Sequence, residues 1–390
     1  MLRLPIAYSL RNLKRRPWHS LATALGVGIV VFASVLMLSL TRGLSLRVAV
    51  TGEEQNVLVI SRAGQNIMFS SITEDELVNL SSLPGVALDS DGDPLVSPEV
   101  VHMATVEGSD GDRTVRAPIF VRGVTPAAYE VHKCLTIREG ELPFAPDDIL
   151  VGCTAHVKLG LPAGALKPGG TLRFDDRNWR IAGIFQAGGS LVESEIWMDT
   201  TELQRLLRRR THTVAVVRMA DAAAARAAMP RFERTGALER YFKGWTERDY
   251  YQEFGSVLSW VLWLCAIMVA VITVAGTLIG ANTMYTAVMN RMREMATYRV
   301  LGFSRLDILA SFVVESTVLA LVGALGGTAA GLLVNGIPLK LSYGAFFLVA
   351  DGIVLGAGLL LGLVIGLIGG IIPAIRGLRI GIVEGLKHAS

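Results

Sequence analysis

The chain has 390 residues, of which 51% are hydrophobic and only 18% charged, with a mean hydropathy of +0.47. Such a composition excludes a single soluble domain, and it carries too much charge for a protein made only of membrane spans. Several spans plus a soluble domain of ordinary composition satisfy both limits. The net charge is only +3, and the basic residues flank apolar runs instead of interleaving with aromatics, which argues against a nucleic-acid surface.

Residues 1–20 read as a basic amphipathic helix on the cytoplasmic membrane surface. Ile6, Leu10 and Leu13 share a face, Arg11, Lys14, Arg15 and Arg16 take the others, and Trp18 sits at headgroup level. Residues 21–41 form a first span: a run this long exceeds the apolar core of a cleaved signal peptide. Residues 42–50 prolong it as a stalk.

Residues 51–248 are expected to form an α+β domain, inserted on the outer side between the first and second spans and with room for two lobes. Strands are expected at 57–60, 100–106, 115–124, 171–174, 179–185, 196–198 and 214–219. Thr73 and Glu76 make a capping box that opens a short helix. Gly140, Pro143, Pro146 and Gly152 mark a turn-rich middle that could border a cleft. Helices follow at about 201–207 and 221–232. Cys134 and Cys153 fall in this domain. An extracytoplasmic location would permit a disulfide, but two separate small buried residues are the favoured reading. Cys265 lies in an apolar run and reads as a packing residue.

Residues 249–281 are a stalk and second span, with Tyr250, Tyr251, Phe254, Trp260 and Trp263 near the start as an outer aromatic belt. Residues 282–307 are a short basic loop in which Arg291, Arg293, Arg299 and Arg305 face only Glu294 and Asp307. The positive-inside rule places it in the cytoplasm. Residues 308–334 are the third span, 335–350 a short outer loop, 351–373 the fourth span, and 374–390 a tail whose Arg376, Arg379 and Lys387 keep it inside. The expected architecture is thus an α-helical membrane protein with four spans and both termini cytoplasmic.

Small residues recur at helical spacing: Gly276 and Gly280; Gly323, Gly327 and Gly331; Gly358, Gly362, Gly366 and Gly370. That spacing lets helices approach closely, within one chain by preference or across a dimer seam. Glu315 lies inside the third span. With no second acid or His to form a relay, a packing hydrogen bond to Ser311, Ser316 or Thr317 is preferred over proton coupling.

The chain has no Gly-Lys dipeptide and so no Walker A loop, and it lacks H-E-x-x-H and G-x-S-x-G. Its six His residues are scattered, and His132 beside Cys134 is weak evidence of a protease-like pair. No catalytic, cofactor or metal site is expected.

The order of one span, a domain of about 200 residues and three spans resembles the MacB/LolC/FtsX-like permease family. The loop RMREMATYRVLGFSR resembles that family's coupling-helix motif through Arg291, Arg293, Glu294, Arg299, Leu301 and Gly302, with Ala296 where the family has Gly. The tail IPAIRGLRIGIVEGLK is similar through Pro373, Ala374, Arg376, Arg379, Val383, Glu384 and Leu386. In it, Gly381 and Ile382 replace Asp-Pro. FVVESTVLALVGALGG resembles the third span, and ITEDELVNLSSLPGV, FVRGVTPAAYEV, REGELP, PGGTLRF and WRIAGIF resemble segments of the periplasmic domain.

The resemblance implies a mechanotransmission permease that dimerises, as a homodimer by default or as a heterodimer, and recruits two copies of a separate ATPase. That partner would bind ATP and Mg and grip the coupling loop, including Met295, and the tail. ATP-driven movement would pass up the stalk to the outer domain and drive extrusion or release of amphipathic cargo: a lipid, lipoprotein, peptide or drug. A periplasmic adaptor or outer-membrane channel could complete the machine. The alternative is ATP-driven regulation of a cell-wall hydrolase. A kinase-linked sensor would need a signalling domain that the sequence lacks.

Overall fold

A computed structural model describes residues 17–64, 66–110, 113–143, 145–232, 238, 241–257, 259–341 and 344–379. The expected amphipathic stretch therefore lies almost wholly outside the described residues. Two compact units result. One comprises Met1–Gly43, Ser259–Ile337 and Phe347–Ser390, the other Leu44–Leu258 and Pro338–Phe346.

Helix α1 (Pro17–Val50) is continuous. Its 34 residues reach about 50 Å at ~1.5 Å per residue, well beyond a ~30 Å hydrocarbon core. It crosses the boundary between the units at Gly43–Leu44.

The second unit is built on one ten-stranded mixed sheet. β1 (Asn56–Ser61) is followed by α2 (Glu74–Ser81), whose capping box pairs Thr73 with Glu76. β2 (Val96–Asp110) and β3 (Arg113–Val124) form a long antiparallel hairpin. Then come α3 (Ala128–Val131), β4 (Thr136–Gly140), β5 (Asp148–Gly152) and α4 (Ala155–Leu159). β6 (Thr171–Phe174) and β7 (Arg177–Gln186) make a hairpin through Asp175 and Asp176, both with positive φ. That is the backbone a two-residue type I′ turn requires. β8 (Ile196–Asp199), α5 (Thr200–Leu206), β9 (Val214–Arg218), α6 (Ala222–Ala228), β10 (Phe242–Thr246) and α7 (Glu247–Val257) complete it.

The strand order is β10-β1-β9-β2-β3-β8-β5-β7-β4, with β6 paired to β2 and β7. Among the described residues, only β3–β8 and β5–β7 are parallel. β2 joins the two halves of the sheet. Val96–Glu99 pair with β9, and the rest of the strand pairs with β3. Each half has its own apolar core. Trp179, Phe174, Ile149 and Ile196 anchor one, and Val57, Leu80, Val217 and Phe242 the other. Each large side chain fully buried in this way contributes about 1.5–3 kcal/mol.

The turn-rich middle contains two strands that the sequence reading left as turns. All five residues of β5 are buried, while β4 is mostly exposed, so neither shows an alternating pattern.

The remaining elements are α8 (Ser259–Met289), α9 (Met292–Val300), α10 (Arg305–Leu332), β11 (Pro338–Leu341), β12 (Gly344–Phe347) and α11 (Gly352–Arg379). The segment read as a short outer loop is a β-hairpin that packs on the sheet-bearing unit. Lys158 Nζ donates to the Leu341 carbonyl at 2.7 Å, and the Ala345 N–H donates to Ser194 Oγ at 3.0 Å.

Four helices are long and apolar enough to cross a membrane: α1, α8, α10 and α11. In the helical unit, α1 meets α10 backbone to backbone. A Cβ on Gly323 would lie 2.2 Å from the Ala24 carbonyl oxygen, and one on Gly327 would lie 2.4 Å from that of Gly28. The ladder of α11 lies on α10. Gly362 faces Ala324, Gly366 faces Ala320, and Gly370 faces Ser316, while Gly358 packs on Val35 and Thr328. Gly276 of α8 packs on Val30. Val31, Val35, Ala320, Ala324 and Ile365 fill the seam. α8 leaves Trp260, Trp263, Ile267, Val271 and Leu278 exposed, the composition of a lipid-facing surface.

The glycine contacts predict a contrast between neighbouring positions. Gly323→Ala puts a methyl against rigid backbone and should destabilise the full chain in detergent by about 1–3 kcal/mol. Gly326→Ala opens on empty space and should be neutral or mildly stabilising, because Ala suits a helix better by ~1 kcal/mol. Thermal unfolding of the two variants checks the difference.

Candidate coupling site

The basic loop folds as a short helix set between two long ones. α8 stops at Met289, and α9 starts after Arg291, which occupies its N-cap position without a side-chain cap. Its far end is closed by Gly302, at φ +90°. The Gly302 N–H donates to the Arg299 carbonyl, and the Phe303 N–H to that of Tyr298. These two bonds are a Schellman motif, which needs a left-handed residue at the glycine position. The Phe303 and Tyr298 rings meet edge-on at 5.8 Å and supply its apolar clasp. Ser304 then caps α10 in a box with Asp307. The Leu-Gly pair at 301–302 thus turns the chain from α9 into α10 within four residues.

α9 has two unlike faces. Met295 and Ala296 are buried, and Met295 sits among Met284, Val288, Ile308, Phe312 and Ala374, which come from α8, α10 and α11. The opposite side presents Glu294, Thr297, Val300, Leu301 and Gly302 to solvent, with Leu306 beyond the turn. Val300, Leu301 and Leu306, close together in the chain, are 70%, 68% and 74% exposed.

The other singled-out residues divide accordingly. Arg299 is half-buried and Arg305 exposed. Arg293 lies on α9, but its side chain is outside the described residues. Arg291 Nη1 makes an ion pair with Glu315 Oε2 at 2.8 Å, and the two side chains are 11% and 6% exposed. Sequence reasoning assigned Arg291 to the loop surface and Glu315 to neighbouring hydroxyls. It missed this pair because 24 residues and a helix break separate the two. The available signal was an arginine close to a membrane helix that carries an acid. Pro373 is buried inside α11, which runs on through Arg376 to Arg379. Arg376 is exposed, and Glu384 lies outside the described residues.

Residues 20–235 match the MacB-like periplasmic core domain, and residues 266–382 match the FtsX-like permease C-terminal domain. The chain belongs to the MacB/FtsX-type family of ABC transporter permeases. An uncharacterised ABC transporter permease of Mycobacterium bovis is 21% identical over 334 residues, covering 83% of this chain and 84% of the relative. One from Methanocaldococcus jannaschii is 26% identical over 145 residues, covering 35% of this chain and 36% of the relative. Among solved structures, the periplasmic region of MacB from Actinobacillus actinomycetemcomitans has a TM-score of 0.38 at 13% identity, covering 53% of this chain and 94% of that one. The extracellular domain of the transporter YknZ from Gram-positive bacteria has a TM-score of 0.34 at 14% identity, covering 45% and 88%. The protein is therefore a membrane-embedded transporter subunit, and its family works with an ATPase.

The permease's sheet-bearing unit holds a second set of functional-type residues, and they are structural in geometry. Arg122 on β3 forks onto Glu195 through Nε (2.7 Å) and Nη2 (2.9 Å), and its Nη1 reaches Glu99 at 2.6 Å. Trp197 Nε1 donates to Glu195, and Ser97 Oγ donates to Glu99. His132 closes the network, 2.8 Å from Glu99 and 3.7 Å from Glu247. Glu247, the first residue of α7, also accepts from Asn56 Nδ2 and from the Glu53 N–H. The groups come from strands and helices far apart in sequence, and no local motif announces them. Breaking one partner of a pair this deeply buried costs about 3–5 kcal/mol.

His132 turns toward these carboxylates and not toward Cys134. Cys134 and Cys153 are free thiols. Desolvation, together with Glu53 and Glu247, pushes Cys134 up to about 12, so it stays protonated and is a poor nucleophile. An open cleft of about 390 Å³ lies beside the turn-rich middle, lined in part by Pro143, Pro146, Tyr129, Asp199 and Arg205.

The network makes stability depend on pH in a defined direction. Burial disfavours the charged His132, but the Glu99 carboxylate, its hydrogen bond and Glu247 outweigh burial and raise the pKa. Burial likewise opposes ionisation of Glu99, yet His132 and Arg122 bring it down to about 2. His132 stabilises fully below its ordinary value near 6.5 and loses that contribution as pH rises through the raised one. Glu99 contributes above the ordinary carboxylate range and loses its share only as pH falls toward about 2. The melting temperature of the full chain should therefore fall as pH rises above about 6.5 and through the raised His132 value. His132→Gln should flatten that slope.

Proposed function

We propose that this permease couples ATP hydrolysis by a separate ATPase to movement of its sheet-bearing domain. The domain lies on the outer side of the bacterial inner membrane, inserted between the first and second spans, and both termini are cytoplasmic. The reading rests above all on the exposed apolar group Val300, Leu301 and Leu306. Val300 ends α9, Leu301 follows it and Leu306 lies in the first turn of α10, while the other face of α9 is anchored to three spans by Met295. Three exposed apolar residues beside an anchored helix, with Glu294, Arg299 and Arg305 near them in the chain, suit the anatomy of a binding hot spot: an apolar centre and a charged rim. Met295 is used inside the permease, so the partner's apolar contact falls to the three bare residues.

The permease itself holds no nucleotide. ATP and Mg belong to the partner, two copies of which serve a permease dimer. α1 runs unbroken from the helical unit into the sheet-bearing unit. The work done is extrusion or release of an amphipathic cargo such as a lipid, lipoprotein, peptide or drug.

The test uses the full chain, tagged and purified from its own membrane in mild detergent. Leu301→Asp should lower the amount of co-purifying ATPase roughly 10- to 100-fold, the range a hot-spot loss of about 2 kcal/mol produces. Thermal unfolding should stay unchanged, because Leu301 is exposed. Equal recovery of the ATPase with both chains would refute the docking surface.

A further inference from the structure

The buried Arg291–Glu315 pair has a consequence for how force enters the permease. Arg291 stands at the joint between α8 and α9. Glu315 lies ten residues into α10, about 15 Å along that helix. Both side chains are nearly covered, so the pair bridges the base of the coupling helix to the interior of a span. Separating two charges at that depth is costly, so a displacement of one group favours movement of the other.

Met295, Ile308 and Phe312 add apolar contacts between α9 and α10, and such contacts are non-directional. The ion pair adds a directional tie, with Nη1 and Oε2 at 2.8 Å.

We propose that Arg291 and Glu315 form a strut that passes displacement of the coupling helix into α10, and that Arg291 is a positioning residue and not part of the ATPase-contacting surface. The proposal rests on the docking reading above and adds the route by which the push leaves α9. It also divides the arginines of the loop into two classes. Arg299 and Arg305 remain at the rim, while Arg291 belongs to the frame.

The experiment uses the full chain with its co-purified ATPase in nanodiscs. Five variants accompany the wild type: Arg291→Gln, Glu315→Gln, Arg291→Lys, the exchanged pair Arg291→Glu with Glu315→Arg, and Leu301→Asp as the docking control. Two quantities are read. One is the ATPase retained. The other is the change in amide hydrogen exchange at residues 326–336, the far end of α10, on adding ATP and vanadate.

Arg291→Gln and Glu315→Gln should keep the ATPase to within about twofold and lose most of the nucleotide-dependent exchange change. Arg291→Lys and the exchanged pair should restore at least half of that change. A purely structural role would lower ATPase retention and overall protection together and would not respond to exchange of the charges. Loss of the ATPase from Arg291→Gln to the extent seen with Leu301→Asp would make Arg291 a contact residue and overturn the strut. So would a full exchange response in Arg291→Gln, or no recovery in the exchanged pair. If the wild type itself captured no ATPase, the docking reading would fall first and the strut's role with it. If the wild type captured it and the single variants responded normally, only the strut would fall.

Discussion

The carbonyl oxygens of Ala24 and Gly28 lie against the α-carbons of Gly323 and Gly327, with no room for a side chain between the backbones. Apolar helices in a membrane gain little from hiding from lipid, so they hold together by close contact over many atoms. These glycines make that contact available. α1 and α10 meet at backbone distance, and α11 lays its own glycine ladder along α10. The seam fills with Val31, Val35, Ala320 and Ala324. Every other feature of the helical unit builds on this frame, including its tolerance of a buried ion pair.

The short helix α9 is held by the same frame. α8, α10 and α11 each give apolar side chains to the cluster that holds Met295. The left-handed glycine at 302 and the serine cap at 304 bring the chain from α9 into α10 without a slack loop. A short, tight turn transmits displacement better than a flexible linker, because fewer torsions can absorb it. In the sheet-bearing unit, rigidity comes from a different source. There, Arg122 on β3 and Glu99 on β2 are tied by paired charges to Glu195, just before β8, and to His132, just after α3.

Much of this was legible in the sequence, for identifiable reasons. Uncharged runs longer than a bilayer announced the four apolar helices, and their glycine periodicity announced close packing. Strands with clear alternation, such as Thr171–Phe174, and the Thr73 capping box could be read locally. β4 and β5 could not, since one is mostly exposed and the other wholly buried. The hairpin at Pro338–Phe347 was read as a loop because its strands are only four residues each. Within the coupling loop, composition alone could not tell which side of a nine-residue helix faces inward. Met295 and Leu301 look equivalent as letters, yet one is 5% exposed and the other 68%. Arg291 reads as a topology charge until its partner, Glu315, is placed beside it.

The central claim is that the ATPase docks on the bare face of α9 and not on the face that binds the spans. Site-specific photocrosslinking tests it most directly, with a photoreactive residue placed in turn at Leu301, Leu306 and Met295 in the full chain within its native membrane. The account predicts ATPase adducts from Leu301 and Leu306, and only intrachain products from Met295. Adducts from Met295, or none from Leu301 and Leu306 while the ATPase still co-purifies, would contradict it.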